Sequence, residues 1–405
     1  MAVIRPTTTI SRDASPLEDA PAPVSRVVDD ILRRALADGA SDVHIEPLSD
    51  GSGHVRYRVD GVLRAGIALD ATLYAPLISR VKLLASMDIS NRRLPQDGRY
   101  TIAIERRRID ARISSLPTFD GEKLVIRLLD YQTALPQLDD LGIDAGSLRA
   151  YRIAAHAPWG FIVVSGPTGS GKTTTLYATI GDLDRGARNI CTVEDPVEGY
   201  LRGVSQVGVN VRAGLTFPIA LRSLVRQDPD VIMVGEMRDP ETAAVAVTAA
   251  LAGQTVLATV HSNDATRTID RLVEFGVARH SLAAALTAVV AQRLVRRLCP
   301  NCKRRQAIPP ELRPLLVDCE GTWFVATGCS ACEGHGYSGR TAVFEILSID
   351  DPLRESIAAG ASSSVLAQLA KDRGHRSLFD DAAAKLAAGV TSFSEVERVV
   401  GWWVR

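Results

Sequence analysis

The rhythm of apolar and polar positions changes about a third of the way along this chain. Residues 1–24 are rich in Thr, Ser, Pro, Ala and Asp without periodicity, the pattern of a flexible tail. From Ser25 to Asp38, Val27, Val28, Ile31, Leu32 and Leu36 fall on one face of a helix. Strand-like runs follow at 42–46 and 54–59, and Asp60-Gly61 is a hairpin signal. A helix near 73–87 leads to further strands at 100–104, 108–114 and 123–128. This mixture predicts a small α+β domain ending near Tyr131 and, with its connector, spanning 25–135. Pro136 and the run Asp139–Gly142 mark the linker beyond it.

From Gly142 onward, apolar runs of four to six residues alternate with helical stretches. Phe161–Ser165, Ile190–Val193, Val231–Val234 and Thr255–Val260 are apolar without alternation, as strands buried on both faces are. The expected fold class is therefore α/β over 142–298, with a doubly wound, mostly parallel sheet. The apolar stretches around Ala243–Leu251 and Leu282–Ala291 contain Thr and read as buried helices. Residues 299–340 form a cysteine-bearing module, and 341–405 read as a helical region with Trp402 and Trp403 near its end. At 405 residues, two or three domains are expected. No apolar run approaches the ~18 residues that span a bilayer, and no signal pattern opens the chain, so a cytoplasmic protein is expected.

Ligands of open α/β sheets bind outside the carboxyl ends of the strands, and four such ends carry candidate chemistry. The first reads Gly166-Pro167-Thr168-Gly169-Ser170-Gly171-Lys172-Thr173, followed by Thr174. This fills G-x-x-x-x-G-K-[ST] between a strand and a helix. Its N–H groups form an anion nest at a helix N-terminus. Lys172 is expected to reach the β/γ-phosphates of ATP, and the Thr173 hydroxyl to ligate Mg²⁺. Glu236, two residues beyond Val231–Val234, is a second candidate for Mg²⁺, held through water. Glu194 is the candidate for orienting or deprotonating water, with Asp195 read as a turn residue. Glu198 is ambiguous between a role there and a solvent-facing position. His261 is a candidate γ-phosphate sensor or a structural residue.

Six cysteines stand at 191, 299, 302, 319, 329 and 332. Cys299-Pro-Asn-Cys302 and Cys329-Ser-Ala-Cys332 are two C-x-x-C pairs, separated by a strand-like stretch at 322–326. Paired thiolates at this spacing close a tetrahedral S₄ site for structural Zn²⁺; a redox pair is the rival reading. Cys191 and Cys319 are expected to be unliganded. Lys and Arg number 47, as do Asp and Glu, and aromatics are 5 %, so no nucleic-acid platform is expected. Arginines at 92, 93, 99, 106, 107, 108 and 112 fit a charged face or subunit contact, with one or two free to complete a phosphate site in trans.

Together these residues resemble the GspE/PilB family of type II secretion and type IV pilus assembly ATPases. The resemblance covers about residue 25 to the end. Ser41–Pro47, Arg56–Gly61 and Leu94–Arg99 look like the family's second N-terminal domain. Ile190–Glu198 resembles its Asp box, Asp228–Asp239 its Walker B segment, Ala258–Ser262 its His box, and the paired cysteines its zinc module. The resemblance implies a RecA-like P-loop core and a homo-hexameric ring that closes ATP between two domains. It also implies peripheral attachment, through an inner-membrane assembly-platform protein. In that light Glu194 is the catalytic carboxylate and Glu236 the Mg²⁺-linked one. Arg99 and Arg112 match phosphate-reaching arginines, and Arg222 and Arg226 stand where core arginines do. The family's first N-terminal domain has no counterpart in the residues before the match.

The expected activity is ATP hydrolysis coupled to assembly of a pseudopilus or pilus. An ATP-binding regulatory or structural subunit with little hydrolysis is the alternative, and a nucleic-acid motor the more distant rival.

Overall fold

The computed structural model of the chain describes residues 8–9, 24–104, 107–130, 135–308 and 322–401. Most of the expected tail, Arg106, Cys319, Trp402 and Trp403 lie outside them. Two compact units divide the chain, Met1–Thr133 and Ala134–Arg405.

The first unit runs β1 (Thr8–Thr9), α1 (Val24–Ala37), β2 (Asp42–Pro47), β3 (Gly53–Val59), β4 (Val62–Leu69), α2 (Ala71–Leu84), β5 (Gln96–Ile104), β6 (Arg107–Thr118) and β7 (Gly121–Asp130). Its seven-stranded sheet has the order β1-β5-β6-β7-β2-β3-β4. Alternation writes the core: β3 buries every second residue, so Val55, Tyr57 and Val59 face inward. They meet Val28, Ile31 and Leu32 of α1 and Leu77, Ile78 and Val81 of α2. Each such side chain contributes roughly 1.5–3 kcal/mol by leaving water. Asp70 caps α2 by accepting from the N–H groups of Thr72 and Leu73. Below it the buried Lys82 ammonium meets Glu122 at 2.7 Å.

The second unit begins with α3 (Ala145–His156), β8 (Gly160–Ser165), α4 (Lys172–Asp182), β9 (Ile190–Glu194) and β10 (Ser205–Gly208). Next come α5 (Phe217–Leu224), β11 (Val231–Val234), α6 (Pro240–Leu251), β12 (Thr255–Val260), α7 (Ala265–Glu274), α8 (Arg279–Ala285) and β13 (Leu286–Leu298). The chain closes with β14 (Arg304–Ala307), β15 (Thr322–Val325), β16 (Tyr337–Ser348), α9 (Asp351–Ala358), α10 (Ser363–Asp372), α11 (Leu378–Ala387) and α12 (Phe393–Val399). The main sheet has the order β10-β9-β11-β12-β8-β13-β16, parallel except for the last pair. Every residue of β8 is buried. Phe161 and Val163 pack with α5–α8, and Ile162 and Val164 with α3 and α4. The sheet is thus covered on both faces, and its strands point the phosphate loop and the other strand ends to one edge.

Two segments differ from expectation. Leu282–Ala291 is not a helix: α8 stops at Ala285, and Leu286 opens a 13-residue strand lying parallel beside β8. A strand buried on both faces is apolar throughout, so periodicity does not separate it from a buried helix; the β-branched Thr287, Val289 and Val290 decide for strand. The region after residue 340 is not purely helical either, because β16 pairs antiparallel with β13 from Tyr337 to Ser348.

The two-stranded β14–β15 hairpin carries Trp323 into a small core with Ile308, Phe379 and Leu386. The Trp323 ring lies 4.7 Å from that of Phe393. Fully buried Glu395 ties α12 to β13 through Arg296 at 2.8 Å, and Arg398 closes on its other oxygen at 2.5 Å.

Candidate active site

Between β8 and α4 the chain turns through Gly166, at φ 152°, and Gly171, at φ 88°. A Cβ on Gly166 would lie 2.5 Å from the Gln292 carbonyl oxygen, so only glycine fits between loop and β13. Gln292, 2 % exposed, braces the loop from that strand. Its amide donates to the Ser170 carbonyl at 2.8 Å and accepts from the Thr175 hydroxyl at 2.7 Å. Pro167, Thr168, Gly169 and Ser170 form the turn, and Lys172, Thr173 and Thr174 the first turn of α4.

The Lys172 ammonium donates to the carbonyls of Gly166 at 2.8 Å and Pro167 at 3.0 Å. Burial pushes its pKa down to about 8. The negative charges of Glu236 and Glu198 oppose that shift, and the Arg293 guanidinium adds to it. Glu236 lies at the end of β11, where Arg238 meets one oxygen at 2.6 Å and His261 Nε2 the other at 2.8 Å. Burial works against the Glu236 carboxylate, but Arg238, His261 and Lys172 outweigh it and hold it below its ordinary range. His261 Nδ1 lies 3.1 Å from the Gly166 carbonyl oxygen, so the ring bridges the phosphate loop to Glu236. Lys172, Glu236 and His261, expected from three separate strand ends, are one cluster. A cavity of about 690 Å³ opens beside it, lined by Pro167, Thr168, His261 and the Arg267 face of α7.

Glu194 is placed differently. It is 2 % exposed. One carboxylate oxygen accepts from Thr192 Oγ1 at 2.6 Å and Gln206 Nε2 at 3.2 Å. The other accepts a very short hydrogen bond from the Tyr177 hydroxyl. The side chain on which water activation was expected is thus buried, and its oxygens accept from three protein donors. Glu198, left ambiguous by the sequence, is exposed, and Tyr177, unnoticed one turn beyond the Lys-Thr pair, bonds both Glu194 and the Glu198 N–H. The signal available was the second carboxylate of Glu194-Asp-Pro-Val-Glu198.

The family model described as "Type II/IV secretion system protein" matches residues 18–398. This chain belongs to that family. It is 47 % identical to the type II secretion system protein HxcR of Pseudomonas aeruginosa, over 93 % of this chain and 77 % of that protein. Identity to the type II secretion system ATPase E of Vibrio cholerae is 42 %, over 93 % of this chain and 75 % of the relative. To the type IV pilus assembly ATPase PilB of Thermus thermophilus it is also 42 %, over 94 % of this chain but 43 % of PilB. The fold is shared with the solved ATPase DotB of Legionella pneumophila, at TM-score 0.69, 22 % identity and coverage of 94 % and 97 %. The pilus retraction motor PilT with bound ADP superposes at TM-score 0.61, 23 % identity and coverage of 91 % and 95 %. The chain is a P-loop motor ATPase of the secretion and pilus type.

The arginines of this ATPase fall into two groups. Arg99 and Arg112 face each other directly across β5 and β6, and Arg112 faces Arg127 across β7, giving a cationic row on the first unit's sheet. Arg127 is drawn to Asp42 at 2.9 Å. In the second unit, Arg222 of α5 is paired with Glu241, and Arg226 donates to the Arg222 carbonyl at 2.8 Å.

Cys299, Cys302, Cys329 and Cys332 converge with all four Sγ atoms within 4.8 Å of one another. Three sulfur pairs stand at 3.9, 3.8 and 3.7 Å. Four thiolates at ~2.3 Å from one Zn²⁺ require tetrahedral edges of about 3.8 Å, so the cluster fits the ion. Burial works against the Cys332 thiolate, but the N–H groups of Cys329 and Gly336 and the neighbouring thiols outweigh it, and its pKa falls to about 6. Cys191 is buried on β9 and stands apart from the cluster.

Proposed function

We propose that the chain is the ATP-hydrolysing subunit of a homo-hexameric motor that powers assembly of a type II secretion pseudopilus or a type IV pilus. The observation carrying this reading is the His261 bridge, 2.8 Å from Glu236 and 3.1 Å from the Gly166 carbonyl. It couples phosphate loop and strand-end carboxylate, so a change at the nucleotide is felt by both. Lys172 holds the β/γ-phosphates, and the donors of Thr173 and Glu236 suit Mg²⁺, which would supply charge neutralisation on the phosphates. Glu198, together with Glu236, supplies negative charge beside Lys172 and is our candidate for orienting the attacking water. His261 senses the γ-phosphate, and the Arg99–Arg112 row and Arg222 with Arg226 offer cations to complete a phosphate site. Zn²⁺ in the four-cysteine site is structural, since all four positions are protein thiolates.

Among the described residues no helix is long and apolar enough to cross a membrane. From its likeness to type II secretion and pilus ATPases we place the motor at the cytoplasmic face of the inner membrane, held there by an assembly-platform protein. The test is specific activity against protein concentration, with and without inner-membrane vesicles that carry a platform. A motor gains activity per subunit as the ring forms and gains again with the platform. Nucleotide binding with negligible turnover in every condition would favour a regulatory subunit.

A further inference from the structure

Tyr177 lies one turn beyond Thr173 on α4 and is 2 % exposed. Its hydroxyl donates its single proton to Glu194. With that bond made, the oxygen's lone pairs accept the N–H groups of Glu198 at 3.2 Å and Gly199 at 3.3 Å. The hydroxyl is saturated, and each bond it makes ends on the β9 strand end or the loop after it. A Cβ on Gly199 would lie 3.1 Å from the Tyr177 ring, so the loop is pressed against the aromatic edge. Gln206 of β10 fixes the same loop from the other side. It accepts from the Leu201 N–H at 2.8 Å and donates to the Gly199 carbonyl at 2.9 Å and to Glu194 at 3.2 Å.

We propose that Glu194, Tyr177 and Gln206 are positioning residues that fix the loop carrying Glu198 to α4, the helix that opens with Lys172. Glu194 orients the phenol, the phenol holds the backbone of Glu198, and α4 carries that register to Lys172 at its own N-terminus. The burial of Glu194 then follows from its task, since an anchor for a phenolic proton works best with water excluded. The inference rests on Glu198 acting at the phosphates, as set out above.

Tyr177→Phe removes one oxygen and leaves the N–H groups of Glu198 and Gly199 without that acceptor. A carboxylate displaced by a fraction of an ångström costs about 10- to 100-fold in kcat, while ATP affinity, carried by the phosphate loop, changes less than about twofold. Gln206→Met, on an edge strand where folding is less at stake, is expected to act in the same direction. The decisive readout is a double-mutant cycle on kcat with Glu198→Gln, alongside Kd for ATP in each variant. If Tyr177 and Gln206 act through Glu198, neither substitution lowers kcat further once Glu198→Gln is present. Equal fold-losses in both backgrounds overturn the proposal while leaving the assignment of Glu198 intact. A Glu198→Gln variant with wild-type kcat overturns that assignment and the proposal with it. Weakened ATP binding in Tyr177→Phe with unchanged kcat would reduce Tyr177 to a packing residue and also overturn it.

Discussion

Raising the pH should loosen this ATPase from its nucleotide through Lys172. Burial brings that ammonium down to about 8 in the free protein. A triphosphate against it restores the ordinary value near ~10.4, so binding takes up a proton wherever the free lysine is neutral. The sign is fixed. Below pH 8 the lysine is already charged and affinity is flat; above it each unit costs about 1.4 kcal/mol. The ATP Kd should therefore rise about twofold by pH 8 and about tenfold by pH 9, relative to pH 7. Titration calorimetry in buffers of different ionisation enthalpy reads the uptake directly, at about 0.9 proton per ATP at pH 9 and about 0.1 at pH 7. Lys172→Arg keeps its charge across the range, so its affinity, whatever its absolute value, should not vary with pH. A wild-type Kd that is flat from pH 7 to 9.5, with no proton uptake, would refute this account of the loop's electrostatics.

Gly166→Ala should cost about 5- to 150-fold in ATP affinity, because the loop must move away from Gln292 at a strain of ~1–3 kcal/mol; fluorescence titration with a nucleotide analogue measures it. Chelation or Cys302→Ser should remove one Zn²⁺ per chain by elemental analysis and lower Tm, since the β14–β15 hairpin has only a small core. Glu395→Gln should destabilise the second unit by roughly 3 kcal/mol, by leaving Arg296 and Arg398 without their counter-charge. Burial opposes the Glu395 carboxylate, but Arg398 and Arg296 hold its pKa down to about 2. Its stabilising effect is therefore complete above the unfolded value near ~4.3 and is lost as pH falls toward 2, which acid titration of chemical denaturation midpoints can follow.

What the sequence made legible were features written in contiguous residues. The phosphate loop needs its glycines in order, and the cysteine pairs lie three residues apart, so both stand out from residue order alone. Strand ends collected Glu236 and His261 at one edge because parallel strands must share a direction. The surroundings of Glu194 were not legible, since its partners Tyr177 and Gln206 come from a neighbouring helix and an edge strand. Nothing local distinguishes a carboxylate facing phosphates from one turned into a phenol. The Leu286–Leu298 strand was hidden for a different reason: burial on both faces erases the alternation that marks a strand. β16 returns antiparallel after the cysteines, where the α/β alternation gives no warning of it.

The central claim is that the cluster at the strand ends hydrolyses ATP. Mg²⁺-dependent phosphate release by the purified full chain, beside Glu236→Gln and with ATP affinity measured in both, tests it most directly. The account expects turnover in the wild type and a loss of at least about 100-fold in the variant, with ATP still bound. A Glu236→Gln variant that hydrolyses at the wild-type rate would contradict it.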